Sequence, residues 1–238
     1  DTSVGDRSQF PSTCWSDLSQ AADRRAPGYR EAMNRLATLY WRPVYRYIRA
    51  IWNKPNDDAK DLTQEFFTAI FDPEFVARSN PERGSFRAFV ITSLRNFLSN
   101  QEQARKALKR GGDARILSLE FTDGEGESAL RPIAQGETPE AYFDHAWAQS
   151  VLEEATELLR QRLRPAMFEA FRLYCLEGDQ SYRSIAEQLR ISTKDVDNHV
   201  YSARKEFRNA VTDVIRQSVS DPAQVTEELQ RLFGGATP

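Results

Sequence analysis

The sequence predicts an all-α protein: two helical domains joined by a long acidic linker, with a short amphipathic helix at the C-terminus. Three observations predict it. Apolar residues recur at helical spacing almost throughout from Trp15 onward, and no segment alternates strongly enough to read as a strand. The helical pattern breaks between Gly112 and Thr138, where "RILSLEF", a stretch that can run extended, is followed by Gly124, Gly126, Pro132 and Gly136. A connection of that length is unusual inside one domain. Residues 15–111 and 139–216 are therefore expected as separate units, with 112–138 as linker and 217–238 as a C-terminal extension. Charge is segregated in the same way. Arg83, Arg87, Arg95, Arg105, Lys106, Lys109 and Arg110 make one stretch basic. Asp113, Glu120, Asp123, Glu125, Glu127, Glu137, Glu140 and Asp144 make the next acidic.

Each element follows from local pattern. Residues 1–11 have no periodicity. "EAMNRLATLYWRPVYRYIRAIW" carries Met33, Leu36, Leu39 and Tyr40 on one helical face, then Val44, Tyr47, Ile48 and Ile51. Pro43 lacks an N–H, so a kink or restart is expected there. "DAKDLTQEFFTAIF" places Leu62, Phe66, Ala69 and Ile70 on its inner stripe. "DPEFVARSNPERG" reads as a short helix and loop. "SFRAFVITSLRNFLSNQEQARKALKR" reads as one long helix capped by Ser85 and ended by Gly111 and Gly112, with Phe86 and Phe89 in the core. Beyond the linker come "AYFDHAWAQSVLEEATELLRQRL" and "PAMFEAFRLYCLE". A last helix after Pro222 presents Val225, Leu229, Leu232 and Phe233 on one face, too short to stand alone in water and so expected to pack on one of the domains.

Composition excludes several classes. There is no apolar run of bilayer length and no signal-peptide pattern. Cys14 and Cys175 are far apart, and with His145 and His199 they show no metal-ligand spacing, so neither a disulfide framework nor a metal site is expected and the cytoplasm is the simplest setting. No nucleophile–base pair or phosphate loop suggests an enzyme, and no cofactor is called for. The formal net charge of −3 argues against nucleic acid taken whole; its distribution argues for it.

"YRSIAEQLRISTKDVDNHVYSARKEFR" carries the most specific signal. Ile185, Ala186 and Leu189 form the inner face of a short helix, Arg190 and Ile191 the turn, and Ser192 or Thr193 the cap of a second helix whose Val196, Val200 and Ala203 point inward. This is helix-turn-helix spacing, in which the second helix enters the major groove. Its outward residues are Lys194, Asp195, Asp197, Asn198, His199, Ser202, Arg204 and Lys205. Asn reads adenine, Lys reads guanine, and Arg204 and Lys205 suit phosphates. A stand-alone helix-turn-helix regulator is one reading of this module.

From about Trp15 to Val211 the chain resembles bacterial sigma factors of the compact extracytoplasmic-function (ECF) group. "SIAEQLRISTKDVDNHVYSARKEFR" is similar to the family's promoter −35 module. "LYWRPVYRYIRA", "DAKDLTQEFF" and "FRAFVITSLRNFLSNQEQARK" are similar, in order, to its −10 and core-binding domain. The resemblance implies a transcription initiation subunit whose partners are core RNA polymerase and promoter DNA. It implies docking on the polymerase clamp through Asp58, Asp61, Gln64 and Glu65. It implies a −10 strand held by Asn96 as base reader and by Arg87, Arg95, Arg105, Lys106, Lys109 and Arg110 as phosphate contacts. It implies −35 contacts from Thr193, Lys194, Asp195, Asn198, His199, Ser202, Arg204 and Lys205. The acidic linker would thread the polymerase channel. The chain departs from the family at Asp197 and His199, where cations are usual, and at Lys60, where an acid is usual.

Lys60 poses a question of its own. Asp58, Asp61 and Glu65 share a helical face, and Lys60 beside it cancels part of the field. Thr63 lies three residues on, where a phosphate would add about −1.5 to −2 charges and offset the lysine. The opening "STCWSDL" and closing "DPAQVTEELQRLF" resemble extensions of sigma factors linked to serine/threonine kinases, which implies such a kinase as a further partner and Thr63 as its site.

Overall fold

The computed structural model describes residues 27–72, 85–108, 131–219 and 222–234. Among these residues every regular element is helical. The helices are α1 (Pro27–Ile51), α2 (Asn56–Ile70), α3 (Phe86–Leu108), α4 (Pro139–Arg162), α5 (Pro165–Phe171), α6 (Tyr182–Leu189), α7 (Thr193–Arg216) and α8 (Pro222–Phe233). The segments 73–84 and 109–130, which hold the expected short helix and loop, Lys109, Arg110 and most of the acidic linker, lie outside the described residues.

α1 runs through Pro43 as one helix, so the expected restart does not occur. Proline removes one i to i−4 bond, but Tyr40, Val44, Tyr47 and Ile48 are all buried around the gap and hold the helix across it. Ser85 caps α3 as expected, accepting from the Ala88 N–H. Thr138 caps α4 by accepting from the Ala141 N–H at 3.1 Å. After α5 the chain widens into a single π-turn, Arg172–Leu176, closed by the Glu177 N–H on the Arg172 carbonyl at 3.0 Å.

The largest core draws on helices from both sides of the linker. Leu36, Tyr40, Val44 and Ile48 of α1, Phe66 and Ile70 of α2, and Phe86, Val90 and Leu94 of α3 belong to it. So do Phe143, Trp147, Val151 and Ala155 of α4 and Val211, Val214 and Ile215 of α7. Tyr40 is the hinge of this packing: its ring stacks on Trp147 at 5.9 Å and meets Phe86 edge-on at 5.1 Å. Aromatic pairs in these geometries add to the area they bury. The flank of the seam is polar, with Arg42 paired to Glu153 and Arg46 donating to Gln149 at 2.7 Å.

α4 serves two cores and α7 serves three. Val196 and Val200 of α7 pack with Ala170, Leu173, Ile185 and Ala186 in a smaller core, and Ala203 joins Leu159 and Phe171 in a third. The helix-turn-helix is thus tied to the main core through α4 and α7, whose other ends belong to it. α8 lies against this assembly, with Val225 buried and Leu229, Leu232 and Phe233 partly buried on the main core.

Candidate nucleic-acid interface

On α2 the buried residues are Ala59, Thr63, Phe66, Phe67 and Ile70. The expected stripe is therefore rotated: Leu62 is only partly buried, Ala69 is exposed, and Thr63 points inward. The Thr63 hydroxyl donates to the Ala59 carbonyl at 2.6 Å, which satisfies it without water. This corrects the expectation of an accessible hydroxyl beside Lys60, which is itself half-buried. Asp58 and Asp61 are exposed, and Gln64 and Glu65 half-buried. Glu65 accepts from the Gln101 side chain of α3 at 2.9 Å. Partial burial, with the Asp61 charge adding to it, pushes its carboxyl above the usual range. The Gln64 amide nitrogen is buried and finds no hydrogen-bond partner among the described residues.

On α3 the expected DNA contacts divide. Arg87 is 4% exposed, and its guanidinium is spent inside the protein, on Glu228 of α8 and Asp144 of α4. Its assignment to phosphate is corrected: a cation buried at this depth stays charged only with such partners. Arg95 and Asn96 remain exposed. They line a groove of about 620 Å3 with Tyr47, Trp52, Thr92 and Ser99, and Pro139 of α4 closes one side. Arg95 is ion-paired with Glu140 in the first turn of α4. Arg105 and Lys106 lie near the end of α3, and their side chains are outside the described residues.

In the helix-turn-helix, Ser181 caps α6, and Arg190 ends it in the left-handed region at φ 56°. The Ile191 N–H then bonds back to the Ala186 carbonyl at 3.1 Å. Ser192, rather than Thr193, is the cap of α7. The Asp195 carboxylate accepts from both the N–H and the hydroxyl of Ser192, at 3.2 and 2.6 Å, and these bonds hold its pKa down. It thereby closes the capping box of α7, a structural role beside its expected place among the −35 contacts. Thr193, Lys194, Asn198, Ser202 and Lys205 are exposed along the helix. His199 is half-buried, its Nδ1 enclosed without a partner among the described residues. Arg204 lies over the Tyr174 ring at 5.3 Å, and its Nε donates to Cys175 Sγ at 3.4 Å.

Sequence reasoning missed Tyr201, which is 72% exposed on α7 between Asn198 and Lys205. An aromatic ring standing in water on a recognition helix was legible from spacing, because position 201 lies three residues beyond Asn198 and shares its face.

The family model for ECF sigma factors matches residues 17–213. That span takes in the described helices from α1 through most of α7. No curated protein matches the sequence.

Proposed function

Because the chain belongs to the ECF sigma factor family, an RNA polymerase subunit class that directs promoter-specific initiation, we propose how its own residues divide that work. The exposed acids Asp58 and Asp61, with Gln64 and Glu65 beside them, dock α2 on a basic surface of the polymerase clamp. Partial burial has already removed water from Glu65 and Gln64, so a cationic or carbonyl-bearing partner gains more there than on an open surface. The groove of Tyr47, Trp52, Arg95 and Asn96 takes an unpaired base of the −10 strand. It supplies a stacking surface, an amide that reads base edges, and a cation for the adjoining phosphate. α7 enters the −35 major groove with Lys194, Asn198, Tyr201, Ser202 and Lys205 on its outward face. The protein would act in the cytoplasm with no chemistry of its own. No described helix is long and apolar enough to cross a membrane.

Phosphorylation at Thr63 by a serine/threonine kinase belongs to the same proposal, with a condition. A phosphate cannot occupy the position the hydroxyl holds, since a dianion in an apolar site has no counter-charge. The kinase would act on an opened α2, and the modified residue would stay outside, where its charge offsets Lys60 on the docking face.

The observation that carries the reading is the pairing of an acidic α2 face with the Arg95–Asn96 groove on the next helix, both packed on one core. Run-off transcription with core polymerase tests it. Wild-type protein should start from its cognate promoter. Asp61→Lys should lose core binding, whereas Asn96→Ala should keep core binding and change preference on a randomised −10 library. Normal initiation by both variants would overturn the assignment.

A further inference from the structure

We propose that the C-terminal helix α8 is an autoinhibitory clasp, which holds α4 against α1 and α3 through Glu228 on Arg87 and so keeps the first turn of α4 over the Arg95–Asn96 groove. The proposal rests on the reading of that groove as the −10 strand site.

The clasp joins three helices. Arg87 of α3 donates to the Glu228 carboxylate of α8 at 2.8 and 3.2 Å. Its third nitrogen, Nη1, donates to Asp144 of α4, and its guanidinium lies 5.7 Å from the centre of the Trp147 ring. Arg231 of α8 donates to the same Asp144 at 3.0 Å. The backbone agrees: the Phe86 N–H at the start of α3 donates to the Ser218 carbonyl at the α7–α8 junction, at 2.9 Å. Arg87 and Glu228 are 4% and 8% exposed, so neither can be left alone without a large penalty. The contact is therefore made or broken as a unit.

The consequence falls one helical turn away. Asp144 stands four residues beyond Glu140 on a continuous helix of 24 residues, so holding the one places the other. Glu140 then occupies the Arg95 cation, and Pro139 lines the groove. A phosphate of a melted strand needs the same cation. The strand and the first turn of α4 compete for one surface, and α8 biases the outcome toward closure.

The test uses the full-length chain with Glu228→Gln and Glu228→Arg, the second of which sets a cation against Arg87 and Arg231. Amide hydrogen exchange is followed in α4 and α1, and binding is followed by anisotropy of a fluorescein-labelled single-stranded oligonucleotide of A and T. In both variants, and more in Glu228→Arg, exchange should rise over residues 139–147 while α6 and α7 keep their protection. If the open form is about 10% populated in the wild type, release should tighten strand binding about tenfold. Unchanged protection of α4 in Glu228→Arg overturns the clasp. If that variant loses protection everywhere, Glu228→Gln decides by the same criterion. Opening of α4 with no gain in strand affinity supports the clasp and overturns the −10 assignment of the groove instead.

Discussion

The Thr63 hydroxyl donates to the Ala59 carbonyl one turn back along α2, at 2.6 Å, and the side chain is fully buried. A residue three positions from Lys60, between the exposed Asp61 and the half-buried Glu65, thus belongs to the core. Thr63→Val keeps the shape and leaves the helical bond of Ala59 in place, so its cost should stay below about 1 kcal/mol. Thr63→Glu forces a charge into that space and should cost about 3 kcal/mol or more. Denaturant unfolding of the two variants checks this. Equal midpoints would mean that the side chain is solvated in solution, and the phosphorylation proposal would then need no opening of α2.

Trp147 is fully buried, stacked on Tyr40 of α1 and lying under Arg87 of α3, so it joins α4 to both helices. Trp147→Ala should destabilise the chain by about 3 to 5 kcal/mol. Urea titration followed by circular dichroism measures this. A loss under about 1 kcal/mol would show that the closed arrangement is sparsely populated.

Glu137 receives Arg131 and the Ala134 N–H, and the His145 ring lies 2.9 Å from it. These bonds, Arg131 first, hold its carboxyl down at about 2. A depressed folded pKa contributes stability that is present above the ordinary carboxylate range and lost as pH falls toward 2. Glu137→Gln should melt below the wild type near neutral pH, and the gap should narrow on acidification. Melting curves at about pH 7 and about pH 3 decide the point. A gap that widens in acid would contradict the assignment.

Tyr201 touches no core, so Tyr201→Ala should change stability by less than about 0.5 kcal/mol. If α7 reads the −35 element, the same variant should lose at least about 1 kcal/mol of affinity for cognate duplex. Electrophoretic mobility shifts against cognate and scrambled duplexes measure the effect, and equal affinity in variant and wild type would remove Tyr201 from the interface.

Lys60 stands beside the acidic face of α2, and Lys60→Glu should strengthen binding to core polymerase without any kinase. The variant removes a cation and adds an anion, each worth about 0 to 1 kcal/mol at partial exposure, so the gain should not exceed about thirtyfold. Biolayer interferometry with immobilised core enzyme tests the direction. A weaker complex would place the cationic clamp surface elsewhere.

What the sequence by itself determined lies within a few residues of its own chain. The α6–turn–α7 unit was legible because Ile185, Ala186, Val196 and Val200 repeat at helical spacing and a serine stands at the cap. The apolar face of α8 was legible for the same reason. The tertiary structure decided what depends on distant partners. Arg87 sits in a basic stretch and reads as a DNA contact, yet its carboxylates lie 141 and 57 positions away in the chain. The rotation of α2 was likewise undecided, because a threonine can satisfy its hydroxyl on its own helix and enter a core that polarity alone would deny it. Periodicity shows that a helix has an inner face; its edge residues are assigned only when neighbouring helices close on it and remove water from one side.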